Sequence, residues 1–141
     1  MSGLSVFFAE NVAKVENQKL VASKRFQAAD GKPIEWEICA VTSELDDTLR
    51  SKNMRKEPVP GKPNHFSSVL DTATYLSKLA AECTVYPDLN NAELQNSYGT
   101  NKPEVLLRRM LLPGEYADYL AAVQSVCGFE SMDEQVEEVK N

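Results

Sequence analysis

The chain has 141 residues, 43% of them hydrophobic and 26% charged, a balance that predicts one compact domain over residues 1–141 whose core needs neither disulfides nor metal. Its 15 basic and 21 acidic residues leave a net charge of −6, the wrong sign for gripping a phosphate backbone, so nucleic-acid binding is disfavoured. No apolar run approaches the roughly 20 residues of a membrane-spanning helix, and the stretch from Met1 to Glu10 lacks a cationic region, so neither a membrane anchor nor a secretory leader is expected and the predicted location is cytoplasmic.

In chain order, residues 1–51 read as helix, β-hairpin and helix, residues 52–64 as a Pro-rich loop, and residues 65–141 as a helical portion. Leu4, Phe7, Phe8, Val12 and Val15 recur at helical spacing behind Ser2 or Ser5, which predicts a short amphipathic helix. Leu20 to Phe26 and Pro33 to Val41 follow, the second with Ile34, Trp36, Ile38 and Ala40 alternating with Glu35, Glu37, Cys39 and Val41. Period two about an Asp30-Gly31 turn predicts a β-hairpin, with Lys24 and Arg25 placed to pair with Glu35 and Glu37. Because an isolated hairpin is marginal in water, it must pack on a helix or take a further strand from this chain or another subunit. Ser43 can cap a helix that carries Asp46 and turns Leu45 and Leu49 to one face.

Lys52 to Asn64 breaks every periodicity, with Pro58, Pro60, Gly61 and Pro63 among Lys52, Arg55, Lys56 and Lys62, and reads as a mobile cationic loop. Phe66, Val69, Leu70, Ala73, Leu76, Ala80 and Cys83 then step by three and four, predicting the longest amphipathic helix of the chain over residues 66–84, stopped by Tyr86-Pro87. Asn90 with Glu93 resembles a capping box for a short helix that Gly99 ends. Pro103 opens a helix with Val105, Leu106 and Met110, and Pro113 opens another with Tyr116, Leu120, Val123 and Val126 inward and Gly128 as its stop. Ser131 with Glu134 would cap an acidic terminal helix. The fold class is α+β, an N-terminal β-hairpin packed against a mainly helical C-terminal two-thirds.

Little here reads as chemistry. His65 is the sole histidine and no Cys-x-x-Cys occurs, so no metal-ligand set is recognisable. Cys39, Cys83 and Cys127 lie in apolar stretches and read as buried free thiols whose equal spacing is coincidence. Gly61-Lys62 lacks the rest of a phosphate-binding loop, nucleophile motifs are missing, and the adjacent Asp46 and Asp47 point to different helix faces, reading as solvated surface. Trp36 reads as core, and Tyr86-Pro87-Asp88-Leu89-Asn90 as turn and cap chemistry, with a binding loop the lesser reading. The expectation is no enzyme, no cofactor and no metal.

Five segments carry a family likeness: Val21 to Phe26, Gly31 to Glu37, Val85 to Gln95 with Ser97-Tyr98-Gly99, Leu111 to Tyr116, and Cys127-Gly128-Phe129. In order and spacing they resemble the XkdN-like tail assembly chaperones of Gram-positive phages and defective prophage elements. The resemblance implies a non-enzymatic protein of the bacterial host cytoplasm that coats the tape measure protein, keeps it soluble and helps recruit tail tube protein; the short helices and the open hairpin edge also suit self-association. It marks Trp36, Tyr86, Pro87, Asp88, Leu89, Tyr98, Pro113, Gly114, Glu115, Tyr116 and Phe129 as family-motif or protein-interaction positions. The alternative is a structural tail or baseplate component that stays in the particle. Related chaperones often occur in two lengths through a programmed ribosomal frameshift, and Val139-Lys140-Asn141 is compatible with an A-rich slippery run or with a plain frayed end.

Overall fold

The computed structural model describes residues 3–129. The fold is α+β. Strands β1 (Gln18–Leu20) and β2 (Trp36–Ile38) pair antiparallel, with Leu20 opposite Trp36 and Gln18 opposite Ile38. A third strand, β5 (Thr84–Tyr86), joins the other side of β2, giving the order β1-β2-β5. The N-terminal pair thus takes its further strand from this chain and also packs on helices. The strands are shorter than the predicted hairpin of residues 20–41, because the chain between them leaves the sheet and returns through a small turn at Gly31, φ 82°, closed by a Gln27–Pro33 bridge and an Asp30 carboxylate accepting from the Lys32 N–H.

Helix α1 (Ser43–Lys52) is capped by the Thr42 hydroxyl rather than by Ser43, and it buries Leu49. The region predicted as a loop is instead strand β3 (Met54–Pro58), paired over its whole length with β4 (Phe66–Leu70). The predicted helix over residues 66–84 is corrected accordingly. Asp71 accepts from the Thr74 N–H at 3.4 Å and starts α2 (Thr72–Cys83) only after β4 has ended. Helices α3 (Ala92–Ser97, capped by Asn91 rather than Asn90), α4 (Pro103–Met110) and α5 (Pro113–Val126) follow. At 14 residues α5 is longer than the 12-residue α2. The predicted helix over residues 4–15 is a single 3-10 turn, Gly3–Phe7, with no buried residue. The acidic helix expected from Ser131 lies outside the described residues.

One core joins these elements. Tyr75, Leu79, Ala80 and Cys83 on α2, Leu106, Leu107 and Met110 on α4, and Tyr119 and Val123 on α5 close over Trp36 and Ile38. Trp36 is 2% exposed, and its ring meets Tyr119 edge-on at 5.5 Å and Phe26 at 5.9 Å. Alternation in the Ile34-Trp36-Ile38 segment therefore turns the large side chains inward, as period-two geometry requires. The ammonium and guanidinium predicted to pair across the hairpin do not do so: Arg25 reaches Glu115 on α5, while Glu37 accepts from Asn17. The Cys83 and Cys127 sulfurs lie 3.6 Å apart, and the Cys39 N–H donates to the Cys83 carbonyl. All three thiols are free, with Cys83 buried and the other two half-buried.

Candidate protein-interaction surface

Most of the sequence-marked positions act in the architecture. Trp36 and Leu89 are buried. Asp88 accepts from the Asn90 N–H at 3.0 Å and shapes the turn after a cis Tyr86-Pro87 bond. The carbonyls of Tyr98 and Gly99 accept from Arg109 Nη1 at 2.5 and 2.9 Å, which ties the end of α3 to α4. Gly99 sits at φ 71°, a left-handed conformation that favours glycine.

The Pro113-Gly114-Glu115-Tyr116 motif is an anchored helix start. Pro113 occupies the first turn, where its missing N–H costs nothing, and the Glu115 carboxylate accepts from the Leu112 N–H at 2.8 Å. That backbone bond, with Ser23 and Arg25 alongside, holds the Glu115 carboxyl below its ordinary value. Arg25 also donates to the Met110 carbonyl at 2.7 Å, so one guanidinium joins the N-terminal segment to both α4 and α5. Tyr116 is half-buried against the core.

Of the marked aromatic residues, Tyr86 and Phe129 are exposed. Tyr86 is 54% exposed on β5, the outer strand of the sheet, beside exposed Val85. Phe129 is 45% exposed and rims a hollow of about 280 Å³ lined by Val41, Leu79 and Cys127, with Thr42, Ser43 and Asp46 at its edge. The hollow is lined by both apolar and polar side chains.

Asp46, expected on solvated surface, is instead the joint between α1 and α2. It accepts from the Tyr75 hydroxyl and from Arg50 Nε at 2.9 Å, while the Arg50 guanidinium lies 4.5 Å from the centre of the Tyr75 ring. Burial pushes its carboxyl upward, but the Tyr75 and Arg50 hydrogen bonds outweigh that and hold it below 3.8. Burial and the same carboxylate push the Tyr75 hydroxyl up to about 12. Asp47 is exposed.

Sequence reading missed the exposed β3–β4 arm. Registers Met54 opposite Leu70, Lys56 opposite Ser68 and Pro58 opposite Phe66 place these six residues on one face of the ribbon. Its only local signal was the Pro60-Gly61 turn between two five-residue segments, Met54–Pro58 and Phe66–Leu70, neither of which alternates apolar with polar residues. Phe66 is 60% exposed, and His65, at the tip, closes the turn by accepting from the Val59 N–H. Leu4 and Phe7 of the N-terminal turn are also exposed. Among the described residues no group of three His, Cys, Asp or Glu side chains is placed to hold a metal ion, and no helix is long and apolar enough to cross a membrane.

Known proteins resemble this chain over nearly its whole length. The chain is 31% identical over 140 residues to the phage-like element PBSX protein XkdN of Bacillus subtilis strain 168, covering 98% of this chain and 93% of that one. It is 31% identical over 136 residues to the YqbN protein of the same organism, covering 96% of this chain and 90% of YqbN. A crystal structure of the protein YqbN superimposes with a TM-score of 0.76 at 27% identity, over 92% of this chain and 99% of that one. With residues 4–140 matching the family description as well, the chain belongs to the phage XkdN-like tail assembly chaperone family.

Proposed function

We propose that this protein binds the tape measure protein of its phage or prophage in the host cytoplasm, keeps it soluble, and helps bring tail tube subunits to it, without catalysing a reaction. Family membership over residues 4–140 carries the reading. Support comes from apolar side chains set at several places on the outside of a well-packed body: Tyr86 on the sheet edge, Phe129 beside its hollow, and Met54 and Phe66 on the arm. An amphipathic helical client can lay its apolar side along such positions, and dispersed sites suit a long client better than one deep pocket does.

The test is co-expression with the cognate tape measure protein. The expected result is a soluble complex that co-elutes on size exclusion, with the client precipitating when expressed alone. A tape measure protein equally soluble without this chain, and no complex, would refute the reading. Mass-spectrometric detection of the chain in purified particles would favour a retained tail or baseplate component instead.

A further inference from the structure

Three thiols converge where α2 ends, β5 begins and α5 stops. Cys83 is the last residue of α2, Cys127 follows Val126 at the C-terminal cap of α5, and Cys39, directly after β2, donates its N–H to the Cys83 carbonyl at 2.8 Å. The Cys83 and Cys127 sulfurs lie 3.6 Å apart, and both thiols are free. Among the described residues the cluster does not meet the geometry of a metal site. Two free thiols in contact are the starting geometry of a disulfide.

We propose that Cys83 and Cys127 form an oxidation site: hydrogen peroxide joins them in an intramolecular disulfide, and a thiol reductant reopens it. Access sets the order of events. Cys127 is half-buried and lines the hollow beside exposed Phe129, so a molecule as small as hydrogen peroxide reaches it from solvent. Cys83 is fully buried, and burial, reinforced by Cys127, pushes its thiol well above the ordinary value. Shielded and protonated at neutral pH, it suits the second, resolving sulfur rather than the first. Cys39 is half-buried, its thiol is also raised by burial, and it joins the cluster through its backbone.

In the first step Cys127, its proton released to solvent, attacks one peroxide oxygen. An S–O bond forms, the O–O bond breaks, and the departing hydroxide takes up a proton to leave as water. In the second step the Cys83 sulfur attacks the Cys127 sulfur. The S–S bond forms, the S–O bond breaks, and the hydroxyl leaves as water with the Cys83 proton. Two thiols and one hydrogen peroxide thus give one disulfide and two waters, with two electrons passing from sulfur to peroxide oxygen. The bond spans 44 positions and encloses β5, α3, α4 and α5, so it restricts the unfolded chain more than the folded one. It clamps the end of α2 to the end of α5, whichever client the body binds.

The test is hydrogen peroxide titration of the reduced full chain, followed by alkylation, trypsin digestion without reductant and mass spectrometry. Lys and Arg residues between the cysteines put each on its own tryptic peptide. The expected result is loss of two of the three thiols and one linked pair, the Cys83 peptide joined to the Cys127 peptide and two hydrogens lighter than their sum, with Cys39 alkylated. The oxidised chain should unfold several degrees higher than the reduced chain, and dithiothreitol should reverse both changes. Cys83→Ser should halt at a Cys127 sulfenic acid that dimedone traps, whereas Cys127→Ser should leave Cys83 reduced. If either variant fails to fold, the wild-type peptide map decides alone. The proposal is overturned by Cys83 and Cys127 both remaining alkylatable under peroxide that oxidises the urea-unfolded chain, by a link through Cys39, by links only between chains, or by an unchanged thermal midpoint.

Discussion

Two antiparallel ribbons in this molecule are built from similar amounts of strand and behave as opposites. In the β1-β2-β5 sheet the central strand buries Trp36 and Ile38 under three helices, and that sheet is part of the core. In the β3–β4 arm every side chain is exposed or only half-buried, although all five residue pairs are in register. Pairing alone is therefore not what stabilises a sheet here. Because a two-stranded ribbon is marginal by itself, the arm depends on its root, where the Asp71 N–H donates to the Asn53 carbonyl at 2.8 Å and the buried Asn53 amide donates to the Leu49 carbonyl at 2.6 Å. Burial went to the sheet that holds the body together, while charge and exposed apolar surface went to the ribbon.

Trp36→Ala should produce the largest effect on the buried side of this contrast. Removing a ring that touches both Phe26 and Tyr119 should cost about 3–5 kcal/mol in denaturant unfolding, and a loss below 1 kcal/mol would show that the sheet face is not central to the core.

Tyr75→Phe comes next and tests the joint from which the arm springs. It removes the hydroxyl that donates to Asp46, and a hydrogen bond to a charged group is worth about 1.5–3 kcal/mol. The pH dependence gives the sharper reading. With its folded value depressed, Asp46 contributes stability that is present above its ordinary 3.8 and lost as pH falls through the lower folded value. Tyr75, raised from 10.0 to about 12, contributes stability that is present below 10 and lost as pH rises through about 12. The wild-type chain should therefore lose this contribution at both extremes, and Tyr75→Phe should flatten both limbs. A change on neither limb would contradict the assignment.

Thr84→Val is expected to be milder. The hydroxyl lies 2.6 Å from the Tyr119 hydroxyl and donates to the Ala80 carbonyl at 2.7 Å, so its removal leaves a buried phenol short of a partner, at about 1–2 kcal/mol in denaturant unfolding. No measurable loss would mean that water replaces it.

The same contrast explains which parts of the fold were legible in the sequence. Elements whose signal is local and chemical were readable: Pro103 and Pro113 at helix starts, Gly99 and Gly128 at helix ends, and the alternation that turns Trp36 inward. Phe66, Val69 and Leu70 misled because their spacing continues smoothly into Ala73 and Leu76, although Asp71 followed by Thr72 marks a helix start inside the run. Leu4, Phe7 and Val12 have helical spacing but stay exposed among the described residues, and periodicity without burial gave no long helix there. Strand β5 was too short to show a period. Contacts set by the tertiary fold, such as Arg25 on Glu115 and Asp46 on Tyr75, had no local signature. For the candidate site the result is similar: the family motifs marked the joints of the body, while the arm was hidden by its prolines and by an expectation that cationic, Pro-rich sequence is loop.

The smallest expected stability effect is the most informative about the arm. Phe66 is 60% exposed and opposite Pro58 near the tip, so Phe66→Ala deletes a ring that the body scarcely touches and should change unfolding free energy by no more than about 0.5 kcal/mol. If the ring is an anchor for the proposed tape measure client, the same substitution should weaken co-elution with that protein on size exclusion while the denaturation curve stays in place, because truncating a large exposed aromatic removes contact area only in the bound state. Leu107→Ala supplies the opposite case, a fully buried α4 side chain whose loss should cost about 2–5 kcal/mol through an internal cavity. Should Phe66→Ala destabilise the chain as much as Leu107→Ala does, the arm would be part of the core in solution and the division between the two ribbons would fail.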